Sequence, residues 1–178
     1  MKIIAFAGSN SINSKNKQLV YYTLKAFPEF EIELIDINDY EMPLYSIDKE
    51  KSNGVPEKAF AFRAKLSEAD GIICSLAEHN RSYTVAFKNI FDWCSRVDMN
   101  IFANKPMLLM STSPGGFGGG NVMAAAKSFF PKCGANIIES FSLPSFNQNF
   151  SGGEIVNKEH ASAHSSRVHS FKEMLLQS

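Results

Sequence analysis

Five short apolar stretches, each tied to the next by a helical pattern, confine this chain to a narrow set of folds. Residues 3–7, 71–76 and 107–110 are near-continuous apolar runs, which is how strands buried on both faces read. Residues 30–34 alternate apolar and polar, as a half-buried strand does, and residues 135–138 supply a fifth. Between them, Val20, Leu24 and Phe27 share one helical face. Pro56 opens a second helix carrying Ala59, Phe62, Arg63 and Leu66. Val85, Phe87, Ile90, Phe91 and Trp93 mark a third, with more apolar positions than one face needs. Residues 122–130 form a fourth, and the tail helix lines up Ala161, Val168, Phe171 and Leu175. Strands alternating with helices build right-handed βαβ units around a parallel sheet. The expectation is an α/β fold: one domain over residues 1–178, a doubly wound five-stranded sheet in the order 2-1-3-4-5, and helices on both faces. Residues 36–56, with at most one short helix, and the segment from the fifth strand to Gly153 read as loops.

Such a sheet takes its ligands beyond the carboxyl ends of its strands, near the point between strands 1 and 3 where the strand order reverses. The three unusual loops of this chain follow strands 1, 3 and 4, so all three fall on that rim. The first, Gly8-Ser9-Asn10-Ser11-Ile12-Asn13-Ser14-Lys15-Asn16, runs from a strand into a helix. Hydroxyls, free main-chain N–H groups and a helix dipole there suit an anion such as a phosphate, and an ordinary capped βα turn is the plainer alternative. The third, Ser111 to Gly120, is a glycine-rich flexible turn. It is not a dinucleotide fingerprint, because the sixth position counted from Gly116 is Asn121, and no Gly-Lys-Ser/Thr follows to make a P-loop. Its glycines suit close approach of a flat ligand or a partner chain. The second loop, Glu78-His79-Asn80-Arg81-Ser82, reads as a ligand edge or as a turn capping the next helix.

Other chemistry is excluded or weak. His160 and His164 stand four apart on the tail helix, but no third ligand of a metal site accompanies them, and an exposed polar face is the better reading. No G-x-S-x-G elbow makes Ser9 or Ser14 a nucleophile. Cys74, Cys94 and Cys133 are scattered and odd in number, which suits a reducing cytosol rather than a disulfide framework or a zinc site. Eighteen acidic residues balance eighteen basic ones, against nucleic-acid binding by a strong field and against a strongly acidic electron carrier. No apolar run approaches a membrane span, and the first strand leaves no room for a signal peptide, so a cytoplasmic protein is expected. Fifteen phenylalanines anticipate a well-filled core or an apolar interface.

Taken together, these blocks resemble the NAD(P)H-dependent FMN reductases, a flavodoxin-like family that includes bacterial quinone, chromate and azo-compound reductases. The resemblance runs from Lys2 to about Ala135. The family's G-S-x-R-x-x-S-x-N matches at Ser9, Ser14 and Asn16, with Ser11 in the place of Arg and Lys15 available as a substitute charge. Its T-P-E-Y-N-x-S-x-P matches at Glu78, Asn80 and Ser82. There Ala77 and Thr84 replace prolines and His79 replaces Tyr, which implies a looser loop. L-K-N-x-x-D-W matches at Lys88, Asn89, Asp92 and Trp93, and S-x-S-P-G-R-x-G-G at residues 111–119, with Gly116 in the place of Arg. Met42-Pro43-Leu44-Tyr45 matches a loop after strand 2.

The resemblance implies flavin mononucleotide as cofactor, with NADPH or NADH as cosubstrate. Ser9, Ser11, Ser14, Lys15 and Asn16 would hold its phosphate. Main-chain groups of Ala77, Glu78, His79 and Asn80, with Ser113, Pro114, Gly115 and Gly116, would bind its ring, an N–H stabilising the reduced form. Flavin N5 would take the hydride, so no protein residue need be catalytic, and a quinone, free flavin or similar flat acceptor would follow in a ping-pong cycle. A homodimer or a dimer of dimers is implied, with the helix ending Phe91-Asp92-Trp93 near the contact. A non-enzymatic flavin electron carrier, or a degenerate sensor homologue, is the alternative.

Overall fold

The computed structural model describes residues 1–177; Ser178, the last residue of the expected domain, lies outside them. In chain order the elements are β1 (Lys2–Gly8), α1 (Lys15–Leu24), β2 (Glu31–Ile35), a 3-10 turn (Ile37–Tyr40), α2 (Ile47–Asn53), α3 (Glu57–Glu68) and β3 (Gly71–Leu76). There follow β4 (Glu78–His79), β5 (Ser82–Tyr83), α4 (Val85–Val97), β6 (Lys105–Thr112), α5 (Gly120–Phe129) and a 3-10 turn (Phe130–Cys133). The chain then runs through β7 (Ala135–Leu143), α6 (Phe146–Asn149), β8 (Phe150–Ser151), β9 (Glu154–Ile155) and α7 (Lys158–Leu176). The central sheet is parallel throughout, in the order β2-β1-β3-β6-β7. Counted within that sheet alone, this is the expected order 2-1-3-4-5 of a flavodoxin-like fold.

Alternation along the strands sorts the core into two layers. Ile4, Phe6, Ile72, Cys74, Met107 and Leu109 face α3, α4 and α5, where they meet Phe62, Phe87, Trp93 and Phe130. Ile3, Ala5, Ile73, Leu108 and Met110 face α1 and α7, where they meet Leu19, Phe27 and Phe171. The buried phenylalanines divide evenly, six in the second layer and six in the first. There Phe130 is ringed by Phe102 at 4.7 Å and Phe91 at 5.6 Å between centroids, at angles typical of packed aromatics. Register places Gly8 beside Leu76, Leu76 beside Ser111, and Ser111 beside Ser142, so the strand ends form one level rim. Gly8 is required for this: a Cβ there would lie 2.8 Å from Leu76 Cδ2.

Several boundaries differ from expectation. β7 continues to Leu143, because an edge strand is half covered and tolerates Glu139, Ser140 and Ser142 alongside the buried Phe141 and Leu143. The segment to Gly153 holds α6 and the β8–β9 hairpin rather than loop, and Pro56 caps α3 from outside instead of opening it. On α4, Phe87, Ile90, Phe91, Trp93 and Cys94 are buried within this chain, while Val85, of the expected apolar set, is left 68% exposed at the helix start.

His164 is also not on an exposed face. It is 4% exposed, hydrogen-bonded through Nε2 to Thr23 Oγ1 at 2.8 Å and flanked by the rings of Phe141 and Tyr22. Burial pushes its pKa down to about 4, so it sits neutral between α1 and β7.

Candidate functional site

The first rim loop forms because β1 ends at Gly8 and α1 cannot begin until Ser14 caps it. Ser14 Oγ accepts from Lys17 N at 3.2 Å, and its carbonyl accepts from Gln18 N at 3.1 Å. Ser9, nearly buried, accepts from Ser11 N at 3.3 Å and turns the loop back over the strand end. The N–H groups of Lys15 and Asn16 stand in the first helical turn, where no preceding carbonyl can reach them, so they remain free to donate. Lys17 does not join this cradle: it pairs with Asp36, which holds that carboxyl below and the Lys17 ammonium above their ordinary ranges. Among the described residues Lys15 has no ion-pair partner. Asn16 points inward, 3% exposed, and binds Thr112 and Ser75, so it offers an anion its main-chain N–H rather than its carboxamide.

The second loop is a two-residue hairpin. Glu78 pairs with Tyr83 and His79 with Ser82, while Asn80 (φ 50°) and Arg81 (φ 64°) make the left-handed turn such hairpins require. The looseness expected from replacing two prolines is countered by two anchors. Glu78 accepts from Val122 N at 2.9 Å and Asn121 Nδ2 at 3.1 Å, which ties the hairpin to the start of α5. Thr84 donates to Gly8 O at 3.0 Å and accepts from Phe87 N at 3.2 Å, which ties its other end to β1 and caps α4. His79, Asn80 and Arg81 point to solvent.

The third loop is not a slack turn. Gly115 O accepts from Ser145 N at 2.9 Å, Ser113 O from Phe146 N at 3.0 Å, and Gly118 O from Ser111 Oγ at 2.8 Å. Gly118 and Gly119 take φ of 60° and 79°, and a Cβ on Gly118 would lie 3.0 Å from Pro144 N. Gly115 and Gly116, by contrast, are exposed and open, with nothing nearer than 3.9 Å to an added Cβ.

These loops enclose a cleft of about 230 Å³. Of the residues expected at the site, Ser9, Ser11, Ser14, Lys15, Asn16, Ala77, Glu78, His79, Ser113 and Pro114 line it; Asn80, Gly115 and Gly116 stand on the same loops beyond its wall. Asn13 and Thr112 line it without having been foreseen. Thr112 is the last residue of β6, at the carboxyl end of the strand where ligands of such sheets lie. The donor set is hydroxyls, main-chain N–H groups and one unpaired ammonium, and the only carboxylate, Glu78, is turned onto α5. That chemistry fits a phosphate monoester. Among the described residues no cluster of three or more His, Cys, Asp or Glu is arranged to hold a metal, and no helix is long and apolar enough to cross a membrane.

A second cleft of about 430 Å³ adjoins the first loop at Asn10 and is walled by the segment after β2 and by the start of α4. The block Lys88-Asn89…Asp92-Trp93 finds its use here. Asn89 Nδ2 donates to Met42 O at 2.9 Å, Asn89 Oδ1 accepts from Tyr45 N at 2.9 Å, and Trp93 Nε1 donates to Pro43 O at 2.7 Å. These residues hold the Met42–Tyr45 loop against α4.

A sequence model of the protein family described as NADPH-dependent FMN reductase matches residues 1–148. The chain is 42% identical over 98 residues to an NADPH:quinone oxidoreductase of Arabidopsis thaliana, covering 55% of this chain and 48% of that protein. It is 35% identical over 120 residues to a 2-hydroxy-1,4-benzoquinone reductase of a Burkholderia species, covering 66% and 63%. The chain thus spans about half to somewhat under two thirds of the length of these curated relatives. In fold it is similar to the flavoenzyme NAD(P)H:(acceptor) oxidoreductase of Paracoccus denitrificans, with a TM-score of 0.77 at 24% identity over 99% of this chain and 97% of that one.

Proposed function

The chain belongs to the NADPH-dependent FMN reductase family, and from that premise we propose that it is a flavin mononucleotide-dependent oxidoreductase that uses NADPH or NADH to reduce a quinone, free flavin or similar flat acceptor. The observation that supports this most is the convergence of Ser9, Ser11, Ser14 and Lys15 with the hairpin and glycine loops on one cleft. The chemistry supplied with bound flavin is hydride acceptance from the nicotinamide and delivery of two electrons to the acceptor.

The chain's own groups do the rest. Ser9, Ser11, Ser14, Lys15 and the Asn16 N–H bind the phosphate, aided by the positive end of the α1 dipole. Main-chain groups of Ala77, Glu78, His79 and Asn80, with Ser113, Pro114, Gly115 and Gly116, would hold the ring, and main-chain N–H groups there would favour its reduced, anionic form. No side chain is needed as acid or base. One shared rim for both substrates predicts ping-pong kinetics. The whole described length serves as one unit in a cytoplasmic enzyme that acts on small molecules.

A homodimer or dimer of dimers completes the reading. It is supported by an apolar groove along α4, where Phe87 and Phe91 meet the half-exposed Met99 (51%) and Phe129 (42%).

The test is an absorbance titration of the purified protein with flavin mononucleotide, followed by anaerobic NADPH. Binding followed by bleaching on the catalytic timescale is expected. Binding without bleaching would point to an electron carrier, and no binding would overturn the proposal.

A further inference from the structure

Phe117 is a large apolar side chain left 68% exposed at the centre of the glycine loop. Its neighbours explain how it is held. Gly118 and Gly119 need glycine for their left-handed backbone, but Gly120 does not: its φ is ordinary, and it opens α5. A Cβ at Gly120 would lie 2.6–2.9 Å from Cε1, Cζ and Cδ1 of Phe117, so the ring lies directly over the bare Cα of Gly120. The ring therefore rests against bare backbone and shows solvent much of its surface. The loop beneath is fixed by hydrogen bonds from Gly118 N to Gly115 O (3.2 Å) and from Gly120 N to Phe117 O (2.9 Å). Its seat is joined to the cleft, because the next residues, Asn121 and Val122, receive the Glu78 carboxylate. An exposed aromatic ring on a fixed seat is preorganised to stack.

Resting on the proposed reductase activity, we infer that Phe117 is the stacking wall for the planar conjugated ring of the electron acceptor. A dinucleotide brings phosphates, for which the rim offers hydroxyls, Lys15 and the solvent-facing Arg81. A quinone brings only a flat ring and carbonyls, and it needs an apolar face. Among the described residues Phe117 is the one exposed large aromatic on the three rim loops; Ile12, on the first, is aliphatic. Phe117 is thus a positioning residue: it holds the acceptor and takes no part in electron transfer.

The experiment compares wild type with Phe117→Ala and Phe117→Trp, each loaded with flavin mononucleotide. Calorimetric binding of 1,4-naphthoquinone-2-sulfonate to the oxidised protein is measured alongside steady-state turnover with that quinone and with ferricyanide, a non-planar acceptor. For Phe117→Ala the quinone Kd and KM are expected to rise about three- to tenfold, with kcat and ferricyanide turnover within twofold of wild type. Phe117→Trp is expected to restore quinone binding. Gly120→Ala, which displaces the ring without altering it, is expected to raise the quinone KM as well. Unchanged quinone binding in Phe117→Ala, or a rise confined to the KM for NADPH, would overturn the inference. Failure of the underlying reading is distinct: it would appear in wild type, as absent flavin binding or absent NADPH oxidation.

Discussion

The carboxamide of Asn16 brackets the main chain of Thr112 from 96 residues away: Oδ1 accepts from Thr112 N at 3.0 Å and Nδ2 donates to Thr112 O at 3.1 Å. Ser75 Oγ adds a third bond to Oδ1 at 2.8 Å. One buried side chain thereby fixes the spacing of the loops after β1 and β6, on which the cleft depends. Asn16→Ala leaves buried main-chain groups unpaired, at about 1–3 kcal/mol each. A loss of roughly 2–4 kcal/mol in denaturant unfolding is expected, together with weaker flavin binding even though the carboxamide touches no ligand.

Glu78 links the hairpin to α5 through Val122 N and Asn121 Nδ2. Glu78→Ala removes both, and a helix-end acceptor of this kind is worth about 0.5–2 kcal/mol. Glu78→Gln keeps an oxygen for Val122 N and should retain most of that stability. Thermal melts and flavin titrations of the two variants should therefore rank wild type, Gln, Ala in both properties.

Thr84 stands where the family has proline, and its hydroxyl replaces the lost stiffness by bonding Gly8 O and capping α4. Thr84→Val keeps the shape and loses both bonds. A destabilisation of about 1–2 kcal/mol is expected, with hydrogen exchange rising first in residues 78–84.

Ser11 is exposed on the cradle, where the family carries Arg. Ser11→Arg adds a second cation beside Lys15. The Kd for flavin mononucleotide should fall about tenfold at low salt, since one charge-assisted bond to phosphate is worth roughly 1.5 kcal/mol or more. That gain should shrink at high ionic strength, as exposed charges are screened.

His164 makes the fold sensitive to mild acid. Its pKa is about 4 in the folded protein against 6.5 for the free side chain, so the unfolded chain takes up the proton first. Stability from this group is complete above pH 6.5 and is lost as pH falls from there toward 4. The difference amounts to at most about 3 kcal/mol. The carboxyls of Glu33 and Asp36, whose pKa values are lowered by their lysine partners, are lost only at still lower pH. Comparing wild type with His164→Phe between pH 7.5 and 4.5 isolates the histidine: the variant should lose less stability over that interval.

What the sequence determined by itself was whatever a local period or a local turn decides. Short apolar runs, one alternating stretch and stripes of period 3.6 defined the five strands of the sheet, the main helices and hence the sheet order, because burial on a pleat or a helix face depends on near neighbours in the chain. The three loops on one rim followed in the same way. His164, expected on an exposed face because it is polar, lies in helical register with Val168 and Phe171 and is buried with them.

Only the tertiary structure decided which polar groups face the cleft and which hold the protein together. Asn16, Glu78, Asn89 and Trp93 all stand in motifs that suggest binding, yet their side chains are engaged with Thr112, Val122, Met42 and Pro43. A hydrogen bond depends on a partner brought near by the fold, here 44 to 96 residues along the chain, or 50 in the case of Trp93, and no local pattern encodes that pairing. The rigidity of the glycine loop was hidden for the same reason. Its composition permits slackness, and the backbone of residues 143–146, arriving from the edge strand, takes it away.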